Sequence, residues 1–391
     1  MPMINETMKQ RGANASVIRE IFEYAKVRKA QIGADKVYDF SIGNPSVPPP
    51  KEVTETLCSL AENETIHGYT ASAGDPEVRR ALAEYINSTF GADEKAERIY
   101  MTCGAAASLA ITLRALCNAG DEVIVFAPYF PEYAVFIEAA GAKIVTVKPD
   151  VKTFEPDFDD LRAKLSDKTK AVIVNSPNNP TGVVYSADCM RTLASILNDR
   201  AGKRDIYLIS DEPYRELVYD GARFVYAPDF YDKTIVCYSF SKSLSLPGER
   251  IGYICVTKGC SDDVFDAVCG AGRSLGYVCA PALFQRLAAK IVGKTSDFGV
   301  YERNRRTLID ALSSYGYEAV DSKGAFYLFV KSPSLDSAEF YERAKKYDVL
   351  IVPSDSFGWS GYARIAYCVS EKQVKDSLAA FKKIIEEYGE Q

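Results

Sequence analysis

The chain has 391 residues, 47% of them hydrophobic and 26% charged; at roughly 100–200 residues per domain this suits two or three domains, or a large and a small one, of an ordinary soluble globular protein. A net charge of −6 speaks against nucleic acid or an anionic membrane as the main partner, no apolar run approaches the roughly 20 residues that span a bilayer, and Met1 to Gln10 lacks the basic-then-apolar pattern of an export signal. The ten cysteines are scattered without a CxxC pair and there is one histidine, so no metal site is expected, and a cytoplasmic location with the cysteines as small buried hydrophobes is.

Residues 14 to 32 have helical spacing, with Ser16 as a candidate cap. Val37 to Ile42 reads as a short extended run. It ends in Gly43-Asn44-Pro45 and then Pro48-Pro49-Pro50, a stiff linker into a larger domain. A helix is expected over 51–63. Gly68 to Pro76 is a polar loop with an aromatic, Tyr69, which as a surface turn needs no more than a packing tyrosine. Pro76 opens the next helix.

From Arg98 the pattern becomes alternating strands and helices. Apolar strands are expected at 98–102, 122–127, 143–147, 171–174, 206–210, 234–238 and 251–256, with helices over 104–117, up to Ala140, 158–165 and 186–200. Near-continuous apolar strands separated by helices describe a mostly parallel sheet covered on both faces. The polar clusters follow the strands: Cys103-Gly104-Ala105-Ala106, Asn175 to Gly182, Asp211 with Tyr214, and Ser239-Phe240-Ser241-Lys242. In such sheets ligands bind beyond the carboxyl ends of the strands. Gly104 opens a helix whose free N–H groups suit a phosphate.

Residues 262–293 read as helix with a break near Gly276 to Pro281, and Gly270 to Gly276 as a glycine-rich turn. Its Gly270-x-Gly272 does not open a helix after a strand, so it is no dinucleotide fingerprint. A long helix over 297–315 precedes strands at 316–320, 324–330 and 363–367 and helices at 335–347 and 371–388. This last part reads as a separate α+β domain.

The stretch from Cys237 to Gly252 organises the rest. A lysine among four serines, followed by Pro247-Gly248, reads as a strand giving way to a turn. The hydroxyls can donate to an anion, and Arg250 can grip a phosphate with its planar fork. An amine held beside other cations becomes a nucleophile toward an aldehyde. With the carboxylate of Asp211, the phenol of Tyr214 and the amide of Asn179, these are the groups that pyridoxal phosphate asks for.

At these positions the chain resembles the class I/II aminotransferases of the aspartate aminotransferase superfamily, pyridoxal-phosphate fold type I. The resemblance rests on Asn178-Asn179-Pro180-Thr181-Gly182, Asp211-Glu212-Pro213-Tyr214, Ser239-Phe240-Ser241-Lys242 and Gly248-Glu249-Arg250-Ile251-Gly252, in the family's order and spacing, and covers nearly the whole chain. It implies an α/β fold: a large domain with a mostly parallel, helix-covered seven-stranded sheet, and a smaller α+β domain drawn from both chain ends. The divisions expected are 1–50 for an N-terminal arm and part of the small domain, 51–284 for the large cofactor-binding domain, and 285–391 for the small C-terminal domain.

The same resemblance implies pyridoxal 5'-phosphate as cofactor. Lys242 would be the Schiff-base lysine and proton shuttle, Asp211 the partner of the pyridine nitrogen, and Tyr214 and Asn179 the partners of the ring oxygen. Ser239, Ser241, Arg250 and the Gly104, Ala105 and Ala106 backbone would hold the phosphate, with Phe130 stacked on the ring, although Phe130 also suits a core aromatic at a strand end. Tyr69 matches a tyrosine that reaches the neighbouring subunit's cofactor, which implies a homodimer with shared active sites. Arg364 would pair with the substrate α-carboxylate, with Gly43 and Asn179 nearby; an outward arginine on a half-buried strand is the competing reading. Gly104-Ala105-Ala106 departs from relatives that carry a serine, threonine or lysine there, so backbone amides must do more of the holding. Arg273 lies near, but out of register with, an arginine that binds a side-chain carboxylate in one subgroup, and a structural arginine fits it equally.

The activity implied is exchange of an amino group between an L-amino acid, aspartate first and aromatic residues next, and a 2-oxo acid such as 2-oxoglutarate. Tyr129, Phe130 and Tyr133 would line an apolar pocket for the aromatic case. The same residues would serve a β-lyase acting on C–S bonds. A third reading, a non-catalytic ligand sensor, would need an attached DNA-binding module, and the acidic balance offers no basic patch for one.

Overall fold

The structure is a computed structural model that describes residues 4–13, 16–62, 64–200 and 205–389. Its strands, in chain order, are β1 (Tyr38–Asp39), β2 (Ile99–Thr102), β3 (Glu122–Phe126), β4 (Lys143–Val147), β5 (Thr169–Asn175), β6 (Tyr207–Asp211), β7 (Thr234–Ser239), β8 (Gly252–Val256), β9 (Tyr327–Lys331), β10 (Val349–Leu350), β11 (Val352–Pro353) and β12 (Tyr362–Ala366). The chain divides into two compact units. The larger holds Pro45–Phe298 and Asp321–Ala325; the smaller holds Met1–Asn44, Gly299–Val320 and Phe326–Gln391.

The larger unit is built on a seven-stranded sheet in the order β2-β8-β7-β6-β5-β3-β4. The pairs among β3 to β7 are parallel, and β8 runs antiparallel to both of its neighbours, β7 and β2. Side chains alternate across the strands. Ile235 and Cys237 join one core with Val123, Val125, Ile173 and Ile209, under the helices Ala105–Leu116, Glu132–Ala139 and Asp262–Ser274. Val236 and Tyr238 join the opposite core with Met101 and Cys255, under the helices Lys51–Ala61, Pro76–Phe90 and Ala282–Ile291. Burial on both faces is why these strands read as unbroken apolar runs. The fold is the mostly parallel, seven-stranded α/β architecture expected from the sequence.

The smaller unit has a three-stranded antiparallel sheet, β11-β12-β9, and a parallel pair, β1 with β10. Helix Val17–Ile32 is capped by Ser16, whose side chain accepts from the Arg19 N–H, and buries Ile21 and Ala25 against Val37, Leu350, Val352 and Phe357. Asn14 and Ala15, read as the start of that helix, lie outside the described residues. No helix among the described residues is long and apolar enough to cross a membrane.

Four local expectations change. The 37–42 run keeps only the two residues of β1 as strand. Residues 316–320 are not a strand: Gly316 and Tyr317 donate their N–H groups back to Ser313 and Leu312 at the end of helix Gly299–Tyr315, which leaves one isolated bridge, Ala319 to Val330. Gly270 to Arg273 is not a turn but the last part of helix Asp262–Ser274, and Gly272 is there because Tyr100 leaves no room for a side chain. The larger unit extends past residue 284, because Leu287, Ala288 and Ile291 of helix Ala282–Ile291 pack in the same core as Val53, Leu60 and Leu82.

Gly252 opens β8 where neighbouring backbone leaves no room for a side chain. A Cβ there would run into the Tyr238 carbonyl oxygen and lie 3.0 Å from the Gly104 Cα, both backbone atoms that cannot step aside. Gly252→Ala is expected to cost about 1–3 kcal/mol of stability through overpacking, read from the midpoint of urea unfolding.

Candidate active site

Each parallel strand delivers its last residue to one edge of the sheet, and the antiparallel β8 delivers its first residue to that same edge. Register fixes who meets whom. Thr102 pairs with Gly252, Gly252 with Ser239, Asp211 with Cys237, and Asn175 with Asp211. The segments leaving these ends carry Gly104, Asn179, Asp211, Tyr214, Ser239, Ser241, Lys242 and Arg250, and all lie in the larger unit.

The serine-lysine run is a correction to the turn read from the sequence. Phe240–Ser243 is a single helical turn, capped by Ser239, whose Oγ accepts the Ser241 N–H at 3.2 Å. Ser239, Ser241 and Ser243 are buried, and Lys242 alone is half-buried. Serines were misleading because each hydroxyl finds a partner inside: Ser239 Oγ and Ser241 Oγ lie 2.8 Å apart, as do Ser243 Oγ and the Tyr238 hydroxyl. The Lys242 amine sits 6.0 Å from the centroid of the Tyr214 ring.

Beside this turn is an anion cradle. Helix Ala105–Leu116 opens on Gly104 with no side chain capping it, so its first N–H groups and the positive end of its dipole are left for a ligand. Arg250 spans the gap, donating to the Cys103 carbonyl (3.2 Å), the Pro247 carbonyl (2.8 Å) and Ser241 Oγ (3.5 Å). A Cβ on Gly104 would lie 2.6 Å from an Arg250 nitrogen, and Gly104 has φ +85°. Glycine is the residue that lets the guanidinium come this close. Arg250 itself sits at φ 51°, a conformation that costs a non-glycine residue roughly 1–3 kcal/mol and recurs at ligand clamps.

Asp211 ends β6 and is 5% exposed. Its Oδ2 accepts the Tyr133 hydroxyl at 2.5 Å, while Oδ1 is buried without a hydrogen-bond partner. Burial pushes the carboxyl up to about 7, and the Tyr133 hydrogen bond works against that rise. A buried carboxylate oxygen with no partner is costly, and one that is retained calls for a cation or donor from a ligand. Tyr133 is the functional residue that the sequence reading misplaced. It does not line an apolar pocket; it is 2% exposed and holds Asp211. The available signal was a phenol within a helix of apolar neighbours, which has to spend its hydroxyl on something. Asn175 was also missed: its Nδ2 donates to the Asp211 carbonyl and its Oδ1 accepts the Asn179 N–H, at 2.9 and 2.8 Å.

The remaining candidates are dispersed. Phe130 is half-buried and meets Tyr133 edge-on with centroids 5.7 Å apart. Tyr69 is 100% exposed. Arg273 is exposed near the end of helix Asp262–Ser274. Gly43 and Arg364 belong to the smaller unit. There Arg364, on β12, is 2% exposed and so is not an outward arginine. It donates to the Ser41 carbonyl at 2.5 Å, and its guanidinium carbon lies 4.7 and 5.1 Å from the centroids of Tyr327 and Phe357. Gly43 packs against the Tyr327 hydroxyl where no Cβ would fit.

Residues 35–381 match the family described as aminotransferase class I and II. A probable aspartate/prephenate aminotransferase from Aquifex aeolicus is 32% identical over 93% of this chain and 94% of its own length. Among solved structures, an amino transferase from Eubacterium rectale is 49% identical with a TM-score of 0.97, covering 99% of this chain and 100% of that one. An aspartate aminotransferase from Thermotoga maritima is 30% identical with a TM-score of 0.87, covering 98% and 100%.

The Asp211 environment has a thermodynamic consequence. The carboxyl has an ordinary value of about 3.8, and burial in the folded chain pushes it up to about 7. Between those values the folded chain holds a proton that the unfolded chain has released, so this group makes stability fall as pH rises from about 4 to about 7. Asp211→Asn, compared with the parent chain in the absence of ligand, is expected to match it below that window. It should gain stability across the window, by a few kcal/mol at most (about 1.4 per pKa unit), as read by urea unfolding at a series of pH values.

Proposed function

The chain belongs to the aminotransferase class I and II family, and on that premise we propose that it holds pyridoxal 5'-phosphate at the strand ends of the larger unit. The observation that carries this reading is Asp211 Oδ1, a buried carboxylate oxygen without a partner, on the sheet edge that also bears Lys242 and the Arg250 cradle. The residues fit the cofactor group by group. The uncapped helix end, Ser239, Ser241 and Arg250 suit its phosphate, and the close Gly104–Arg250 approach gives that cradle its shape. Asp211 suits its ring nitrogen, and Tyr214 and Asn179 suit its ring oxygen. When bound, the cofactor supplies an aldehyde for a lysine and a ring that withdraws electrons from a substrate carbon.

The chain's own groups then have distinct tasks. Asp211, facing a protonated ring nitrogen, is stabilised as the carboxylate by the charge it meets. The Lys242 amine would take the proton from the substrate Cα and hand it on, acting as general base and then general acid. Arg364, near the Tyr327 and Phe357 rings, takes the substrate α-carboxylate in bidentate fashion, with the Gly43 backbone alongside. Phe130 covers the cofactor ring.

Aspartate is the amino donor proposed first, in keeping with the names of the relatives, and 2-oxoglutarate the acceptor; an aromatic donor is the alternative. Arg273 is the residue proposed to take a distal carboxylate. A second copy of the chain is proposed to complete the site. In support, the exposed Tyr69 lies on a loop tied to the 275–281 segment, through Cys279 N–H to the Ser72 carbonyl (3.4 Å) and Cys279 Sγ to the Thr70 carbonyl (3.2 Å). That segment also exposes Leu275, Tyr277 and Val278.

The test is absorbance of the pyridoxal-phosphate-loaded protein titrated with a panel of L-amino acids and then with 2-oxo acids. A reversible conversion by one amino acid and one oxo acid is expected, with Lys242→Ala slowed by roughly 10²–10⁴-fold or more. Pyruvate and ammonia released from cystathionine, without reversal, would replace this reading by a β-lyase. Separately, Arg273→Ala is expected to raise KM for aspartate several-fold and leave an aromatic donor unchanged; equal effects on both donors would remove Arg273 from substrate recognition.

A further inference from the structure

Behind the proposed site lies a buried polar cluster that the chemistry so far does not use. Its centre is Arg215, 4% exposed, with a side chain that is 2% exposed. The guanidinium carbon sits over the Tyr238 ring, 3.9 Å from its centroid, with the Phe90 and Tyr85 centroids at 5.3 and 5.7 Å. Arg215 Nε donates to Glu216 Oε1 at 3.0 Å, and Nη1 reaches Glu212 Oε2 at 3.5 Å. Glu212 also accepts the Ser210 hydroxyl at 2.8 Å. Glu216 Oε1 accepts the Tyr238 hydroxyl at 2.8 Å. With that proton spent on the carboxylate, the Tyr238 oxygen is the acceptor for the Ser243 hydroxyl, 2.8 Å away.

The cluster is interleaved with the site in the chain. Asp211 is followed by Glu212, Tyr214 by Arg215, and Lys242 by Ser243. Asp211, Tyr214 and Lys242 are therefore each anchored, one peptide away, in a single buried network. The anchoring matters most for Lys242. Its helical turn has four residues, far below the length at which a helix holds itself together, and its direction has to come from tertiary bonds. The Ser239 cap and the Phe240 N–H bond to the Ile251 carbonyl hold its front. The Tyr238–Ser243 bond holds its back.

We propose that Arg215, Glu216, Tyr238 and Ser243 are positioning residues: a buried guanidinium–carboxylate–phenol–hydroxyl relay that sets the orientation of the Lys242 turn relative to Asp211 and Tyr214. This rests on the roles of Lys242 and Asp211 proposed above. Replacing such a network with apolar groups can leave stability unchanged or improved, so stability alone does not account for it. Geometry does, because misplacement of a reacting amine by about 1 Å can cost as much as 10²-fold in rate.

The experiment is a double-mutant cycle of Tyr238→Phe and Ser243→Ala in the pyridoxal-phosphate-loaded enzyme. Tyr238→Phe keeps the ring under Arg215 and removes one oxygen; Ser243→Ala removes the other end of the same bond, and remains decisive should Tyr238→Phe not fold. Each single variant is expected to lower kcat roughly ten- to hundredfold with KM within about twofold, and to slow borohydride fixation of the cofactor to Lys242. Each is also expected to move the pH midpoint of the bound cofactor's absorbance. The double variant is expected to be no worse than either single, because one interaction has been removed twice. Variants that lose only thermal stability, with kcat, fixation rate and midpoint as in the parent, would overturn the proposal, and so would effects that add. Lys242→Ala run alongside separates the two levels: if it too retains activity, the site assignment fails, whereas an inactive Lys242→Ala beside a normal Tyr238→Phe rejects only the relay.

Discussion

A carboxylate placed where water cannot reach it is the constraint on which the site depends. Asp211 ends β6 in the middle of the sheet, with neighbours on both sides and cores above and below. Burial alone would protonate it near neutral pH, and the protein offers one side-chain donor, Tyr133, to one of its two oxygens. The other oxygen is buried without a hydrogen-bond partner. That arrangement costs stability at neutral pH, and a positive charge placed beside it would favour the carboxylate.

The same economy shapes the anion cradle. Its donors are backbone N–H groups of a helix start, two serine hydroxyls and one arginine, rather than a row of lysines. Backbone donors do not move and need no rotamer to be frozen, and the arginine is itself pinned by two carbonyls and a serine hydroxyl. That pinning requires two chains to approach at Gly104 and Gly252 more closely than any side chain allows. The antiparallel β8 is the device that brings Arg250 to the edge where the parallel strands end. A parallel strand in its place would have delivered the residue before it to the opposite edge.

Much of this was legible because the pattern is local. Unbroken apolar strands alternating with helices specify a two-faced sheet, and residues directly after such strands have to cluster at its edge. Gly104, Asn179, Asp211, Tyr214, Ser239 and Lys242 were found in this way, and they are where the sheet ends; Arg250, which precedes β8, was found from its motif instead. Local pattern failed where a side chain's partner is remote in sequence. Ser239 to Ser243 looked like a turn because serines seldom fill a core; they do so here because Tyr238, Arg250 and one another satisfy them. Gly270 to Arg273 looked like a turn because glycines seldom fill a helix; Gly272 does so because Tyr100 occupies the space beside it.

The sequence by itself determined the architecture of the larger unit and the family and singled out the candidate site residues, because strand and helix periods and short motifs are read over a few residues at a time. Only the tertiary structure decided which groups hold them. Tyr133 lies 78 positions from Asp211, Ser41 lies 323 from Arg364, and Tyr238 lies 22 from Glu216. Such pairs exist because strand order and register bring distant segments into contact, and whether a phenol ends in an apolar pocket or on a buried carboxylate follows from that packing.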